Sequence, residues 1–542
     1  MNRYSLNTKL KKILFSKIQQ RNKKLKYMKY FRFNNDIKLL SVYKNAKKWI
    51  IKNTVYGKGI RPSVGLDDKI TDIAYPEVSG YFIPTLLNFG FRDLSKQYAK
   101  WLLSIQHEEG AWYDYLDESP YVFDTGQVLR GLIAIYPIMP EVESAILRGC
   151  DYILSQIKPD GQLPSPSTKF WPEGICTELI HLYCLPPIIE ASKIFNRPEY
   201  EIEAKRVLDY YKKNCMEKLL DFHTLSHFYA YMIEALVDLE ELEIARTAMD
   251  KVSKLQRKNG FIPAYKNVKW TCSTGLFQFA VIWYKLGEKI KADLTFDYAC
   301  SLQTQNGGWL GSYGPNAQYI QLREISWAVK YFLDALKLKI SVHFAKTADK
   351  NVPIMGGTYP LSDFIRDEDG RLKLILQKIN ESLLPNSTVV DVGCGLGRIL
   401  KKAAEQRPDL KFYGVDIAPE ILKNMPVTIT TKIGSLLSIP FEDCFSDFTM
   451  TTEALEHAVD IENAIKELVR VTKKGGKVLI IDKDIKATGA LDTPPWEQWF
   501  DTEQLKTLME EQGLKVEVLK NIPYNEKDGS DGLYVAWIGE KV

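Results

Sequence analysis

The chain has 542 residues, 45% of them apolar and 26% charged. It is too long for one ordinary hydrophobic core and too apolar to be largely disordered, so at least two domains are expected. No run of about 18 apolar residues occurs, which argues against a membrane-spanning helix, and the start carries no apolar h-region of the secretory kind.

The net charge of +4 is unevenly spread, because residues 1–35 hold eleven Lys or Arg and no acid, leaving −7 on the rest. Residues 1–32 therefore read as a basic extension. Interleaved with Leu10, Ile13, Leu14 and Phe15, it suits peripheral contact with an anionic inner-membrane surface, or a solvated, mobile arm. The acidic body is a poor footprint for nucleic acid, and no nucleic-acid partner is expected. Eight cysteines without a Cys-x-x-Cys pair and six scattered histidines argue for reduced thiols in the cytoplasm and against a disulfide framework or a bound metal.

Residues 33–342 repeat with a period near fifty. A Gln-x-x-x-Gly phrase recurs as QHEEGAW from Gln106, QRKNGFI from Gln256 and QTQNGGW from Gln303, with QIKPDGQL from Gln156 as a degenerate copy. Six aromatic-rich helices are predicted to open near Tyr75, Phe123, Cys176, Leu225, Cys272 and Glu324. Charged amphipathic helices alternate with them, near 92–106, 142–156, 199–213, 242–256 and 288–302, and one at 36–52 is able to close a ring. Each pair leaves an apolar face bare that only a neighbouring pair covers. The pattern predicts an all-α (α/α)6 toroid in which the glycine ends a helix with φ > 0 and the Trp packs over the joint.

The Gln-x-x-x-Gly-x-Trp phrase resembles the QW repeats of the squalene–hopene cyclase and prenyltransferase superfamily. That likeness implies architecture and not chemistry, since residues 33–340 lack the Asp-x-Asp-Asp acid of a cyclase. The cluster Asp67, Asp68, Asp72 has one residue too many for Asp-Asp-x-x-Asp, and no zinc set of a protein prenyltransferase is evident. YPEVSGYFIPTLL and VFDTGQVLRGL also resemble segments of α/α-barrel proteins associated with bacterial polysaccharides. Chemistry is expected at the N-terminal ends of the inner helices. Those ends offer Tyr75, Glu77, Asp124, Glu178, His227, Arg323 and Glu324, with Tyr81, Tyr229, Tyr313 and Trp327 nearby. Carboxylates among aromatic rings suit a carbohydrate, and Glu77, Asp124 and Glu324 are candidates for lyase, hydrolase or epimerase proton transfer. The alternative is that such acids serve only as caps or first-turn residues favoured by the helix dipole.

Residues 343–364, with Pro353, Gly356, Gly357 and Pro360, read as a linker. From 365 to 542 the order changes to strand, glycine loop, helix, strand. Thr388–Val392 runs into Gly393, Gly395 and Gly397, and a second strand, Lys411–Val415, ends at Asp416. Glycines permit close backbone approach to a ligand and a tight turn into a helix, and an acid at the second strand's tip can accept ribose hydroxyls. Asp391-x-Gly-x-Gly-x-Gly397 resembles motif I of class I S-adenosylmethionine-dependent methyltransferases. The Leu-x-x-Ile-Pro-Phe run before residue 442, Glu453-Ala-Leu-Glu-His457 and RVTKKGG before Lys477 look like the small-molecule branch of that family.

This resemblance implies an α/β Rossmann-like domain with a seven-stranded sheet and S-adenosylmethionine as cofactor. Asp391, Gly393, Cys394, Gly395 and Gly397 would face its methionine part, Asp416 its ribose and Ile417 its adenine. Ser435 and Leu436 stand where the family often has an Asp near the adenine amine, and Glu453 would border the methyl group. Cys394 reads as a small filler. His457 is the candidate base, titrating near neutrality, with Glu453 or Glu456 behind it, or else a residue that only holds its loop. Thr493-Pro494-Pro495-Trp496 follows the fifth strand and reads as an acceptor lid with Trp499 and Phe500. The combined expectation is a cytoplasmic methyltransferase acting on a saccharide or lipid-linked glycan that the toroid binds or processes. Alternatives are an isoprenoid acceptor, or a toroid that serves as a scaffold for a protein partner.

Overall fold

The computed structural model describes residues 39–65, 73–114, 119–164, 178–347, 369–423, 425–487, 494, 496–523 and 533–542. The basic extension 1–32, the linker beyond residue 347, Asp67, Asp68, Asp72, Cys176, Thr493 and Pro495 lie outside them. By internal contacts the chain divides into two compact units, one of residues up to 79, 104–129 and 147–335, the other of 80–103, 130–146 and 336–542. No helix among the described residues is long and apolar enough to cross a membrane.

Up to residue 347, twelve helices of eleven residues or more are described. Pro76–Asn88, Val122–Ile135, Ser226–Asp238 and Ser273–Lys285 are buried on nearly every side. They alternate with one-sided helices such as Leu242–Ser253, whose buried residues are Ala245, Ala248, Met249 and Val252. The difference follows composition: helices that are mostly apolar, with only a few charged residues such as Glu77 and Asp124, bury nearly all faces, and amphipathic ones keep one face wet.

The glycine phrases fall at positive φ, 94° at Gly110, 96° at Gly161, 88° at Gly260 and 96° at Gly307. The first three each sit against a later one-sided helix. A Cβ at Gly110 would overlap the Arg148 carbonyl, at Gly260 that of Leu294, and at Gly161 it would come within 2.9 Å of Arg206 O. The last phrase leans on the first helix: a Cβ at Gly307 would overlap the Asn45 carbonyl, and Gln303 Nε2 donates to Val42 O at 2.9 Å. The phrase glutamine fixes its own turn, Gln106 Nε2 donating to Gly110 O at 2.9 Å. Trp112 and Trp309 are fully buried.

The second unit holds a seven-stranded sheet. Its strands are β1 (Thr388–Val392), β2 (Lys411–Asp416), β3 (Ile429–Ile433), β4 (Ser446–Thr452), β5 (Thr472–Lys483), β6 (Leu514–Ile522) and β7 (Tyr534–Lys541). Their order is β6-β7-β5-β4-β1-β2-β3. β1 to β5 are parallel, and β7 runs antiparallel to both β5 and β6. β1 is buried throughout and β5 nearly so over Val478–Lys483, as apolar runs covered on both faces require. The order reverses between β1 and β4, and in such sheets the crevice at that point, beyond the strands' carboxyl ends, receives the ligand.

Candidate functional site

β1 ends in Val392, and the chain turns through Gly393, Gly395 and Gly397 at φ 79°, 52° and 70° before the helix Arg398–Gln406 begins. The loop is strapped to β2, since the amides of Gly393 and Cys394 both donate to Val415 O, at 2.8 and 3.0 Å. A side chain at Gly393 would strike Ala454, and one at Gly397 would strike Met425. At Gly395 a Cβ would meet nothing within 4 Å, so there the backbone itself faces open space.

Asp416, at the tip of β2, accepts from Gly395 N and Ala418 N, each at 3.0 Å. Burial raises its pKa despite those bonds. Asp391 is 3% exposed, and burial, reinforced by Asp416, raises its pKa to about 7. Two buried carboxyls thus flank one open glycine turn, an arrangement with no cationic partner among the described residues that fits a ligand with a positively charged end and a vicinal diol. Burial, with Asp391 and Asp416 nearby, likewise raises the Cys394 thiol well above its ordinary value, which suits a filler and not a nucleophile. Ile417 follows Asp416 into the short helix Pro419–Leu422. Ser435 folds on itself, its hydroxyl accepting from Leu437 N at 3.2 Å, and Leu436 is buried.

Glu453 follows β4 at φ 51°, in the left-handed region that is costly for a residue with a Cβ. Its carboxylate pairs with Arg371 and accepts from Tyr534 Oη at 2.8 Å. Arg371 is itself clamped by Asp369 through bonds of 3.0 and 2.6 Å. Glu453 is therefore charge-paired and turned toward Arg371 and Tyr534. The expectation of a histidine titrating near neutrality is corrected: burial, then Lys483 and His343, lower the His457 pKa to about 3. His457 lies in a single 3-10 turn, Leu455–His457, with Nε2 3.4 Å from Glu456 Oε1 and Nδ1 3.9 Å from Glu497 Oε2. A neutral imidazole with so little affinity for a proton is a weak general base.

In the helical region the structure brings Glu77 and Asp124 near one another. Tyr75 Oη donates to Asp114 Oδ2 at 2.9 Å, and Trp327 Nε1 donates to Glu77 Oε2 at 2.9 Å. Burial, then Glu77 and Asp114, raise the pKa of Asp124, and Tyr75 opposes them by hydrogen bonding. Glu324 does not join this group: it accepts from Trp49 Nε1 at 2.7 Å and pairs with Thr304. Tyr229 and Tyr313 donate to the carbonyls of Leu219 and Leu302, and Arg323 to Ser63, so these residues brace turns. His227 meets Gln278 Oε1 at 2.7 Å, and burial lowers its pKa to about 4. Asp114, Arg371 and Glu497 were not anticipated. Of these, only Asp114 carried a sequence signal, two residues beyond the Trp112 of a glycine phrase.

Residues 390–480 match the sequence model of the family described as "Methyltransferase domain". The chain is 28% identical over 102 residues to norajmaline N-methyltransferase of Rauvolfia serpentina, covering 17% of this chain and 35% of that enzyme. It is 34% identical over 113 residues to 2-methyl-6-phytyl-1,4-hydroquinone methyltransferase of Synechocystis, covering 19% and 34%. The matched segment thus spans about a third of these curated relatives. Among solved structures, phosphoethanolamine N-methyltransferase 2 of Haemonchus contortus in complex with S-adenosyl-L-methionine is 16% identical, with 38% of this chain and 57% of that one covered at a TM-score of 0.27. A methyltransferase of Thermotoga maritima is 23% identical, with 32% and 91% covered at a TM-score of 0.25. The sheet-bearing region of this chain thus holds a segment, residues 390–480, that matches a methyltransferase domain.

Proposed function

We propose that the protein transfers a methyl group from S-adenosylmethionine to a hydroxyl or carboxylate of a saccharide or lipid-linked glycan, and that its helical region is an (α/α)6 toroid that holds this acceptor. The cofactor supplies an electrophilic methyl carbon. Asp416 and the open Gly395 backbone would hold its ribose and Asp391 its methionine end; binding and orientation are the main contribution of these residues.

The observation that carries the acceptor reading is the buried cluster of Tyr75, Glu77, Asp114, Asp124 and Trp327. Carboxylates crowded beside an indole and a phenol are costly to keep in an apolar core and suit a polyhydroxylated ring that stacks and donates. The return of the last glycine phrase onto Asn45 and Val42 supports the closed ring. Calorimetric titration of acidic and neutral oligosaccharides into the full chain tests the reading. Binding that Asp124→Asn and Glu77→Gln abolish is expected; no binding of any glycan, or unchanged binding in both folded variants, rejects it.

A second reading, in which the cluster itself moves protons as a lyase, hydrolase or epimerase, is favoured by Asp124, whose Oδ2 is buried without a hydrogen-bond partner. A carboxyl held neutral by burial and like charges is the form that donates a proton. Sugar turnover in the absence of S-adenosylmethionine is its distinguishing outcome.

A further inference from the structure

Beyond β4 and β5 lies a buried charge cluster that the cofactor site does not use. Glu456 is 2% exposed and Asp482 fully buried, and the Glu497 side chain is 1% exposed. Asp482 accepts from the amides of Glu456 and Lys483, at 3.0 and 2.8 Å. Lys483 Nζ donates to Glu456 Oε2 at 2.6 Å and stands 3.7 Å from Glu497 Oε1. Trp499 Nε1 also donates to Glu497 Oε1, at 2.7 Å. Among the described residues, Lys483 is the one lysine or arginine paired with Glu456 and Glu497. When all are ionised the three carboxylates outnumber it by two charges.

Two further atoms are left without hydrogen bonds. Glu497 Oε2 and His457 Nδ1 are both buried and unpartnered, and they face each other at 3.9 Å. One ligand atom from each of Glu456, His457 and Glu497 lies within 4.8 Å of the others. Two carboxylate oxygens and one imidazole nitrogen, converging where carboxyl groups outnumber the one ammonium, form a donor set for a borderline or hard divalent ion. Buried orphaned acceptors of this kind are otherwise costly, each by an unmade bond to an ion or water.

We propose that Glu456, His457 and Glu497 bind a divalent cation of the Mn²⁺ or Zn²⁺ class at the carboxyl ends of β4 and β5. The ion would offset the carboxylates that Lys483 leaves unbalanced, and Asp482 would orient the turn that carries Glu456 and His457. On the functional reading above, on which this consequence alone rests, the ion would ligate an oxygen of the acceptor and select substrates bearing a hydroxyl or carboxylate.

The test uses the full chain, freed of metal by chelator dialysis, and titrates Mn²⁺ by calorimetry and by the electron-spin signal of the free ion. One saturable site per chain is expected, weakened roughly tenfold or more by Glu497→Gln and by His457→Gln. Lys483→Met, which removes the competing ammonium, is expected to tighten it. Co²⁺ gives a second signature: its visible absorption should change between wild type and His457→Gln. Circular dichroism and S-adenosylmethionine titration on the same variants separate loss of folding, or failure of the cofactor reading, from loss of the ion. Absence of saturable Mn²⁺ and Zn²⁺ binding in the wild-type chain overturns the proposal. So does binding that is unchanged in both folded ligand variants.

Discussion

Glycine marks both halves of the molecule, and it does opposite things in them. At Gly260 and Gly307 the missing side chain lets a turn press on the carbonyl of a distant helix, with no space left over. At Gly395 the backbone is equally left-handed, but the space beside it is empty. The first kind of glycine locks helices together, and the second leaves a surface that a ligand can approach. Positive φ alone therefore does not mark a functional turn; what the absent Cβ would meet does.

The sharpest test of this contrast, and the largest expected effect, is a pair of substitutions. Gly260→Ala is expected to lower stability by about 3 kcal/mol or more, from overlap with Leu294 plus the strain of positive φ. Gly395→Ala should cost only about 1 kcal/mol, from backbone strain, yet weaken cofactor binding. Calorimetric unfolding and S-adenosylmethionine titration of the two variants check this. Similar losses of stability in both would break the distinction.

Next in size, Asp416→Ala removes an acceptor with an ionised form and is expected to cost about 2–3 kcal/mol of cofactor affinity. That is roughly a hundredfold in Kd, and unaltered binding by calorimetry would show that the tip of β2 is not the ribose site. Asp391 gives a pH signature. Its folded-state pKa of about 7 lies above the ordinary carboxyl value, so the fold favours the neutral form. Stability of the ligand-free protein should fall as pH rises from about 4 through 7 and level off above. A cationic methionine end favours the carboxylate instead. Affinity should therefore weaken as pH drops below 7, by up to about tenfold per unit, with the slope lost in Asp391→Asn. A flat wild-type profile between pH 6 and 8 would refute it. The smallest effect is Asp124→Asn, which relieves crowding with Glu77 and Asp114 and should leave stability within about 1 kcal/mol of wild type, or raise it. Cooperative unfolding at a much lower temperature would mean that this acid braces the helices.

The first two strands and the glycine turn between them were legible in the sequence because they rest on local grammar: a β-branched run, three glycines at fixed spacing, an acid at the end of the next strand. The repeat phrases were legible for the same reason, and their glycines fall in the conformation their spacing required. Partners that depend on distant packing were not. Glu453 stood in a motif beside His457, but its charge is answered by Arg371 from the helix Gly370–Ser382 and by Tyr534 on β7. Glu324 opened an inner helix like Asp124, yet Trp49, 275 residues away, claims it. Glu497 meets His457 because the residues around Phe500 lie beside the end of β5, Phe500 N donating to Lys483 O at 3.0 Å. Nothing within a window of twenty residues records such pairings. The histidine failed differently: its residue type was read correctly, but its surroundings, which set its proton affinity, were not.

The bond between Trp49 and Glu324 also has a consequence for biosynthesis. A helix that leaves the ribosome early must wait for a partner translated some 275 residues later. At roughly 5–20 residues per second that interval is of the order of tens of seconds. During it the Trp49 indole lacks the acceptor that holds it in the folded protein. Closing so long a loop carries an entropic cost that makes slow maturation the expected behaviour of this half.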